Sequence, residues 1–130
     1  MQLIPLTLLT LASLATALPA SSSTALPANT QSCKAHQDKE MRDGRFATLW
    51  YDIKIGAPYS KANCENLKQN VIVAEVDQWY SDISPEWTCK KTAAGQIRIG
   101  FDGGRFHHEN RINYGLHNAF PLIGFNCPGT

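Results

Sequence analysis

The sequence predicts an α+β fold: a two-layer α/β sandwich in which two helices cover one face of an antiparallel sheet, with the elements in the order βαββαβ. Three observations predict this fold. Apolar and polar residues alternate in several segments, as in half-buried strands. Two other segments carry apolar residues at steps of three and four, as in amphipathic helices. The chain of 130 residues also has four cysteines, an even number that favours two disulfides.

The amino-terminal end has the pattern of a secretory signal peptide, residues 1–17. The run from Leu3 to Ala17 is apolar and uncharged, ends in small residues, and is too short to span a membrane. Residues 18–32 repeat ALPA around a serine tract and are expected to form a flexible leader. Residues 33–130 are then expected to form one domain, secreted and extracellular.

The first predicted strand and helix follow each other in the chain. The segment ATLWYDIKI has the period of two of a half-buried strand, with the apolar residues Leu49, Tyr51, Ile53 and Ile55. Ser60 is a suitable amino-terminal cap for a helix. The apolar stripe of that helix is expected to comprise Cys64, Leu67, Val71 and Ala74.

Two more strands come next, separated by the turn sequence AAG. In EWTCKKT, Trp87 and Cys89 share one face, which predicts the second strand. The third strand is predicted in QIRIGFDGG, a segment bounded by glycines. Its apolar residues are Ile97, Ile99 and Phe101.

A second helix and a last strand complete the predicted order. The segment NRINYGLHNAF has an apolar stripe of Ile112, Leu116, Ala119 and Phe120. Pro121 is expected to end this helix. The segment LIGFNC then predicts a short strand with Ile123, Phe125 and Cys127 on one side.

This order suggests one antiparallel sheet with both helices on the same face, as in split-βαβ, ferredoxin-like domains. Cys64 lies on the apolar stripe of the first helix and Cys89 on the inward side of the second strand, so we expect them to bond beneath the helix. Cys127 would then pair with Cys33. The two other pairings of four cysteines remain open.

Composition and motifs argue against several classes of protein. The net charge is +1 and no long basic run occurs, so nucleic acid is not an expected partner. No apolar segment after the signal peptide predicts stable membrane insertion. Neither a C-x-x-C pair nor a G-x-S-x-G motif is present, and we expect no metal, no cofactor and no catalytic nucleophile.

The segment RFHHENR, residues 105–111, concentrates the side chains most typical of catalysis. A ribonuclease-like site would use a histidine such as His108 and Glu109 as acid and base, with Arg105 or Arg111 on a phosphate. Neighbouring residues on a helix point about 100° apart, however, so the histidines and Glu109 diverge. The zinc motif H-E-x-x-H is also broken, because Ile112 stands at the second histidine position. We therefore favour a solvated helix start.

The face of the sheet opposite the helices is the preferred binding surface. Trp50, Lys54 and Arg98 are expected there together with Asp52, and exposed tryptophan and arginine are common contact anchors. The alternative is that the leader, the segment from Cys33 to Arg42 or a second copy of the chain covers Trp50.

A loop before the second strand carries two further aromatic residues, Trp79 and Tyr80. They are candidates for binding a partner. We favour the alternative, in which their side chains pack at one end of a small core.

Several of these segments together resemble a family of small secreted, cysteine-containing fungal proteins. The segments are the signal peptide, WYDIKI, the helix with Cys64, WTC, the glycine-bounded strand, INYGL and the terminal GFNCP. The resemblance spans about Cys33 to Pro128 and is to proteins whose α/β sandwich is related to the killer toxin of a smut-fungus virus. It implies an effector released at a host interface or an antifungal toxin, and no shared enzyme chemistry.

We therefore expect a secreted, effector-like binding protein without catalysis, whose partner is a host or competitor protein or surface component. A weak homodimer is left open. An antifungal, killer-type toxin is the first alternative. A secreted ribonuclease-like hydrolase that uses His108, Glu109 and Arg111 is the second.

Overall fold

A computed structural model describes residues 24–40, 47–76, 86–103 and 109–128. Within these ranges the fold is α+β, with four strands and two α-helices. The strands are β1 (Gln31–Glu40), β2 (Ala47–Pro58), β3 (Trp87–Lys91) and β4 (Gln96–Asp102). The helices are α1 (Lys61–Leu67), which continues as a π-helix (Lys68–Val76), and α2 (Glu109–Ala119).

The strands form one antiparallel sheet in the order β1-β2-β4-β3. In the middle of the sheet Ile53 of β2 lies opposite both Cys33 of β1 and Ile99 of β4, and Cys89 of β3 lies opposite Ile99. These four residues form one row across the sheet. Because side chains alternate between the two faces of a strand, every second row faces the helices and the rows between them face away.

The predicted βαββαβ order is wrong, because a strand that was not predicted precedes the others. In the described ranges the order is ββαββα. β1 pairs with β2 at the sheet edge that the ferredoxin-like order assigns to the last strand. Its sequence, QSCKAHQDKE, lacks the β-branched and large aromatic residues typical of strands, so its strand structure follows from pairing with β2.

The last predicted strand, LIGFNC, is not a strand in the structure. Its edge of the sheet is already occupied by β1. The segment is held by the side-chain amide of Asn113 on α2, which accepts from the Cys127 backbone N–H at 2.7 Å and donates to the Cys127 carbonyl at 3.2 Å. Ile123 and Cys127 are nevertheless buried, so the apolar alternation reports burial and not strand pairing.

Well-defined contacts begin before Cys33, inside the segment expected to be a flexible leader. The backbone of Leu26 makes two hydrogen bonds with the side chain of Gln96, at 2.9 and 2.7 Å. Gly56 bonds the backbone of Asn29 and Thr30. A side chain at Gly56 would collide with the Pro27 carbonyl, because a Cβ there would lie 2.2 Å from the oxygen. The fold therefore includes part of the residues assigned to the leader.

One apolar core lies between the sheet and the helices. It takes the inward side chains of the two central strands together with side chains from both α-helices and the π-helix, which places all the helical segments on one face. The largest of its fully buried side chains are Leu49, Tyr51, Ile53, Ile55, Leu67, Val71, Ile97, Ile99, Phe101, Ile112, Leu116 and Ile123.

The first helical segment begins as predicted but its later turns differ. The Ser60 hydroxyl accepts from the Asn63 backbone N–H and caps α1. From Lys68 onward the backbone is a π-helix, with more residues per turn than an α-helix. The buried residues therefore become Val71, Ile72 and Val76, while Ala74, which was predicted on the stripe, is exposed.

Two disulfides close the sandwich. Cys33 bonds Cys127, and Cys64 bonds Cys89, which is the pairing that the sequence analysis favours. The first bond joins the edge strand β1 to the carboxy-terminal segment, and the second joins α1 to the other edge strand, β3. The carboxy-terminal segment and α1 are thereby each fixed to one edge of the sheet.

Candidate functional site

The side of the sheet that faces away from the helices is called the open face here. The register of the four strands brings its members into transverse rows. Among the residues whose side chains the structure describes, the members used below are Ser32, Lys34, His36, Trp50, Asp52, Lys54, Thr88, Lys90, Arg98 and Gly100.

Trp50 is anchored on the open face by a glycine on the neighbouring strand. A Cβ at Gly100 would lie only 2.8 Å from Cζ2 of the Trp50 indole and 2.9 Å from Oγ1 of Thr88. The absence of a side chain at Gly100 thus lets the indole lie over the backbone of β4. The Thr88 hydroxyl donates to the Gly100 carbonyl at 3.2 Å. Trp50 is half-buried as a result, and it forms a fixed aromatic wall.

Asp52 and Arg98 form a two-pronged ion pair in the centre of the open face. Arg98 Nε donates to Asp52 Oδ1 at 2.9 Å, and a terminal guanidinium nitrogen donates to Oδ2 at 2.7 Å. These hydrogen bonds lower the pKa of Asp52, an effect that burial opposes and that the charges of Arg98, Lys54 and Lys34 reinforce. The same pairing raises the pKa of Arg98.

Cations outnumber carboxylates around this pair. Lys54 on β2 lies directly opposite Arg98 on β4, and Arg98 lies directly opposite Lys90 on β3, so three positive side chains stand in one row. Lys34 on β1 lies opposite Asp52 in the next row. Like charges directly opposite each other destabilise a sheet. Asp52 pairs with Arg98, and the ammonium groups of Lys34, Lys54 and Lys90 surround this pair.

Two shallow depressions lie on either side of the ion pair and share Asp52 and Arg98. The first, of about 220 Å³, has Trp50 and Lys90 on its walls and Gly100 beneath. The second, of about 170 Å³, is lined by lysines and a serine: Ser32, Lys34 and Lys54. A ligand that crosses the strands would meet an aromatic wall at one end and paired lysines at the other.

The sequence-predicted surface residues differ in how far the structure describes them. Trp50, Lys54 and Arg98 lie together on the open face. The segment from Cys33 onward does not lie over Trp50 in its described part, because β1 runs beside β2 and places His36 opposite Trp50. The loop residues Trp79 and Tyr80 lie outside the described residues.

The structure describes part of the segment RFHHENR. Residues 104–108, which include His108, lie outside the described ranges. Glu109 begins α2, and its Oε2 atom is buried without a hydrogen-bond partner. Arg111 is turned toward Glu75 of the π-helix, with 3.8 Å between its NH1 nitrogen and Oε2. In the part of the chain that is described, no group of three or more His, Cys, Asp or Glu side chains is placed to hold a metal ion.

Sequence reasoning missed two of the four cations in the patch. Lys34 was missed because β1 has no apolar alternation that marks a strand. Lys90 could have been found: it follows Cys89 in a predicted strand, and neighbours of an inward residue point outward.

Comparisons of this chain with known protein families, with curated proteins and with solved structures find no match. Across the described ranges, no helix has the length and apolar character needed to cross a membrane.

Proposed function

We propose that this chain is a secreted, effector-like binding protein that acts without catalysis, through the open face of its sheet, on a component of a host or a competitor. The single observation that carries this proposal is the row of three cations, Lys54, Arg98 and Lys90, beside the anchored Trp50.

The row is costly for the isolated fold, which supports a role in binding. Lysines on edge strands protect a sheet from pairing with other chains, and this explains Lys34 on β1 and Lys90 on β3. Edge protection does not explain Lys54 and Arg98, because they lie on the two central strands. A negatively charged partner would be attracted to these cations and would offset the repulsion between them.

The rest of the molecule provides a fixed support for such a surface. Two disulfides and one apolar core hold the strands that carry it. Secretion is consistent with these disulfides, which persist in oxidising compartments. The signal peptide, residues 1–17, lies outside the described residues, and the fungal, effector-like character comes from the sequence resemblance alone.

A capture experiment tests this function. Oxidised protein is immobilised and exposed to host extracellular fluid and cell extract, in parallel with the variant Lys54→Gln/Lys90→Gln. The control is Lys61→Gln/Lys68→Gln, which removes the same charge from exposed positions in the helical layer. We expect the wild type and the control to retain the same components and the open-face variant to lose them. Equal recovery by all three would contradict the proposal.

Catalysis by the segment RFHHENR is tested separately. Because Arg111 pairs with Glu75, it is not placed to hold a phosphate without leaving that contact. We expect no RNA cleavage by the oxidised protein. Turnover that disappears on His108→Ala or Glu109→Ala would show that the protein is an enzyme.

A further inference from the structure

We infer that the open face binds an acidic polysaccharide, a chain of sugars with one carboxylate on each ring. This inference rests on the proposed function, since it names the partner of the same surface.

The arrangement of the depressions fits an extended ligand that runs across the strands. They lie side by side and share the Arg98–Asp52 pair, so one chain passing over both would contact β1, β2, β4 and β3 in turn. Neighbouring strands are about 4.8 Å apart. A chain of pyranose rings advances by a similar distance per sugar, so carboxylates two sugars apart can meet Lys54 and Lys90, which lie on either side of Arg98 in the row.

The first depression has the composition of a sugar subsite. The Trp50 indole provides a flat apolar wall against which the C–H groups of a sugar ring can pack, and Gly100 leaves the floor open. Thr88 adds a hydroxyl. Lys90 lies at the rim, where its ammonium can pair with a ring carboxylate.

Asp52 distinguishes a sugar chain from a phosphate backbone. Arg98 holds this carboxylate in its charged form, with one hydrogen bond on each oxygen. A carboxylate retains further acceptor sites beyond these two bonds. Sugar hydroxyls can donate to them, whereas a DNA backbone brings only acceptors and negative charge toward Asp52.

The aromatic content of the surface also favours a sugar chain over single-stranded nucleic acid. Protein β-sheets that bind single-stranded nucleic acid stack successive bases on several aromatic side chains. Among the described open-face positions, Trp50 is the single Trp, Tyr or Phe. The oxidising environment implied by two disulfides is also one in which extracellular polysaccharides are abundant.

The test is a calorimetric titration of the oxidised protein with an oligogalacturonate of defined length. The matched ligand is the same oligomer with its carboxylates methyl-esterified, which keeps the sugars and removes the charge. We expect esterification to weaken binding at least tenfold. The variant Lys54→Gln/Lys90→Gln should weaken binding of the acid form about tenfold, and Lys61→Gln/Lys68→Gln less than about twofold. Raised salt should weaken the wild-type complex more than that of the open-face variant.

Other results separate this inference from the proposed function. Equal affinity for the acid and the ester, or no effect of Lys54→Gln/Lys90→Gln, overturns the polysaccharide assignment. Tighter binding of single-stranded RNA or polyglutamate of equal charge also overturns it, but leaves the open face as the binding surface if the same variant weakens that complex. If none of these probes binds and the capture experiment shows equal recovery, both the inference and the proposed function fall.

Discussion

At the scale of single residues, the open face depends on two pairs of side chains that hold each other in place. Trp50 lies on Gly100, and Asp52 accepts two hydrogen bonds from the Arg98 guanidinium group. The period of two in β2 and β4 was enough to predict that Trp50, Lys54 and Arg98 share a face. The sequence did not reveal that Gly100 is required beneath the indole, because a glycine inside a strand has several structural causes.

Replacement of Gly100 tests the contact with Trp50. In Gly100→Ala the new methyl group would meet the indole at 2.8 Å, so the ring or the strand must move. We expect a loss of about 1–3 kcal/mol in the free energy of unfolding, measured by denaturant titration, together with a change in tryptophan fluorescence. Gly124→Ala is the control, since a Cβ there has no atom within 4 Å. Equal stability of the two variants would show that Trp50 does not rest on Gly100.

The pKa of Asp52 predicts how this ion pair responds to pH. Because pairing lowers that pKa below its ordinary value of 3.8, its stabilising effect is complete above about pH 4 and is lost as the pH falls through the folded-state pKa. Asp52→Asn should therefore be less stable than the wild type at pH 7, by up to about 1 kcal/mol for a pair this exposed.

The measurement is urea unfolding of both proteins from pH 7 to pH 2. The difference between the two curves should shrink as the pH falls, because the wild-type carboxylate becomes protonated. Glu65→Gln, which removes an exposed carboxylate bonded to neutral Gln69, serves as the control for a general charge effect. A stability difference that stays constant down to pH 2 would contradict the role assigned to the ion pair.

At the scale of elements, local patterns predicted the type of most segments but not their partners. Alternation in β2 and β4 and the Ser60 cap of α1 were sufficient, since these signals depend on the segment alone. β1 could not be predicted because its strand conformation is imposed by β2 and its sequence is polar. The change from α-helix to π-helix at Lys68 was also hidden, because the run of β-branched residues has no fixed effect on helical period.

Close packing between α2 and the π-helix gives a test at this scale. A Cβ at Gly115 would lie 2.4 Å from the Asn70 carbonyl oxygen, which is backbone and cannot turn aside. Gly115→Ala gains about 1 kcal/mol of helix propensity. Overpacking costs about 1–3 kcal/mol or more, so we expect a net loss of stability in thermal or denaturant unfolding.

Asn118→Ala is the matched control for this variant. Asn118 is exposed on the same helix, so its replacement gains propensity without new contacts. It should leave stability unchanged or raised slightly. A Gly115→Ala protein more stable than the wild type would show that the helices do not approach as closely as described.

At the scale of the whole molecule, a small apolar core and two disulfides together stabilise the sheet that carries the open face. A domain of about a hundred residues is only marginally stable, by about 5–15 kcal/mol. The sequence predicted both the cross-links and the two-layer arrangement, because cysteine positions and apolar faces are visible in a single chain. Strand order was not predictable, since it depends on which segments compete for one edge.

Removal of either disulfide should destabilise the protein, and the loss should be greater for the bond that closes the longer loop. Cys33 and Cys127 are 94 residues apart, and Cys64 and Cys89 are 25 apart. The chain-entropy model gives losses of about 4.7 and 3.5 kcal/mol for Cys33→Ser/Cys127→Ser and Cys64→Ser/Cys89→Ser. Guanidinium unfolding measures both values. A larger loss for the shorter loop would show that local packing, and not chain entropy, decides the effect of these bonds.

The most direct test of the account is a map of where a ligand contacts the folded molecule. Isotope-labelled, oxidised protein is titrated with the oligogalacturonate while its amide NMR spectrum is recorded. We expect the largest shift changes at the open face, including Lys34, Trp50, Lys54, Lys90 and Arg98, and no change in α1 and α2. Shift changes confined to the helical layer, or none at any concentration, would contradict it.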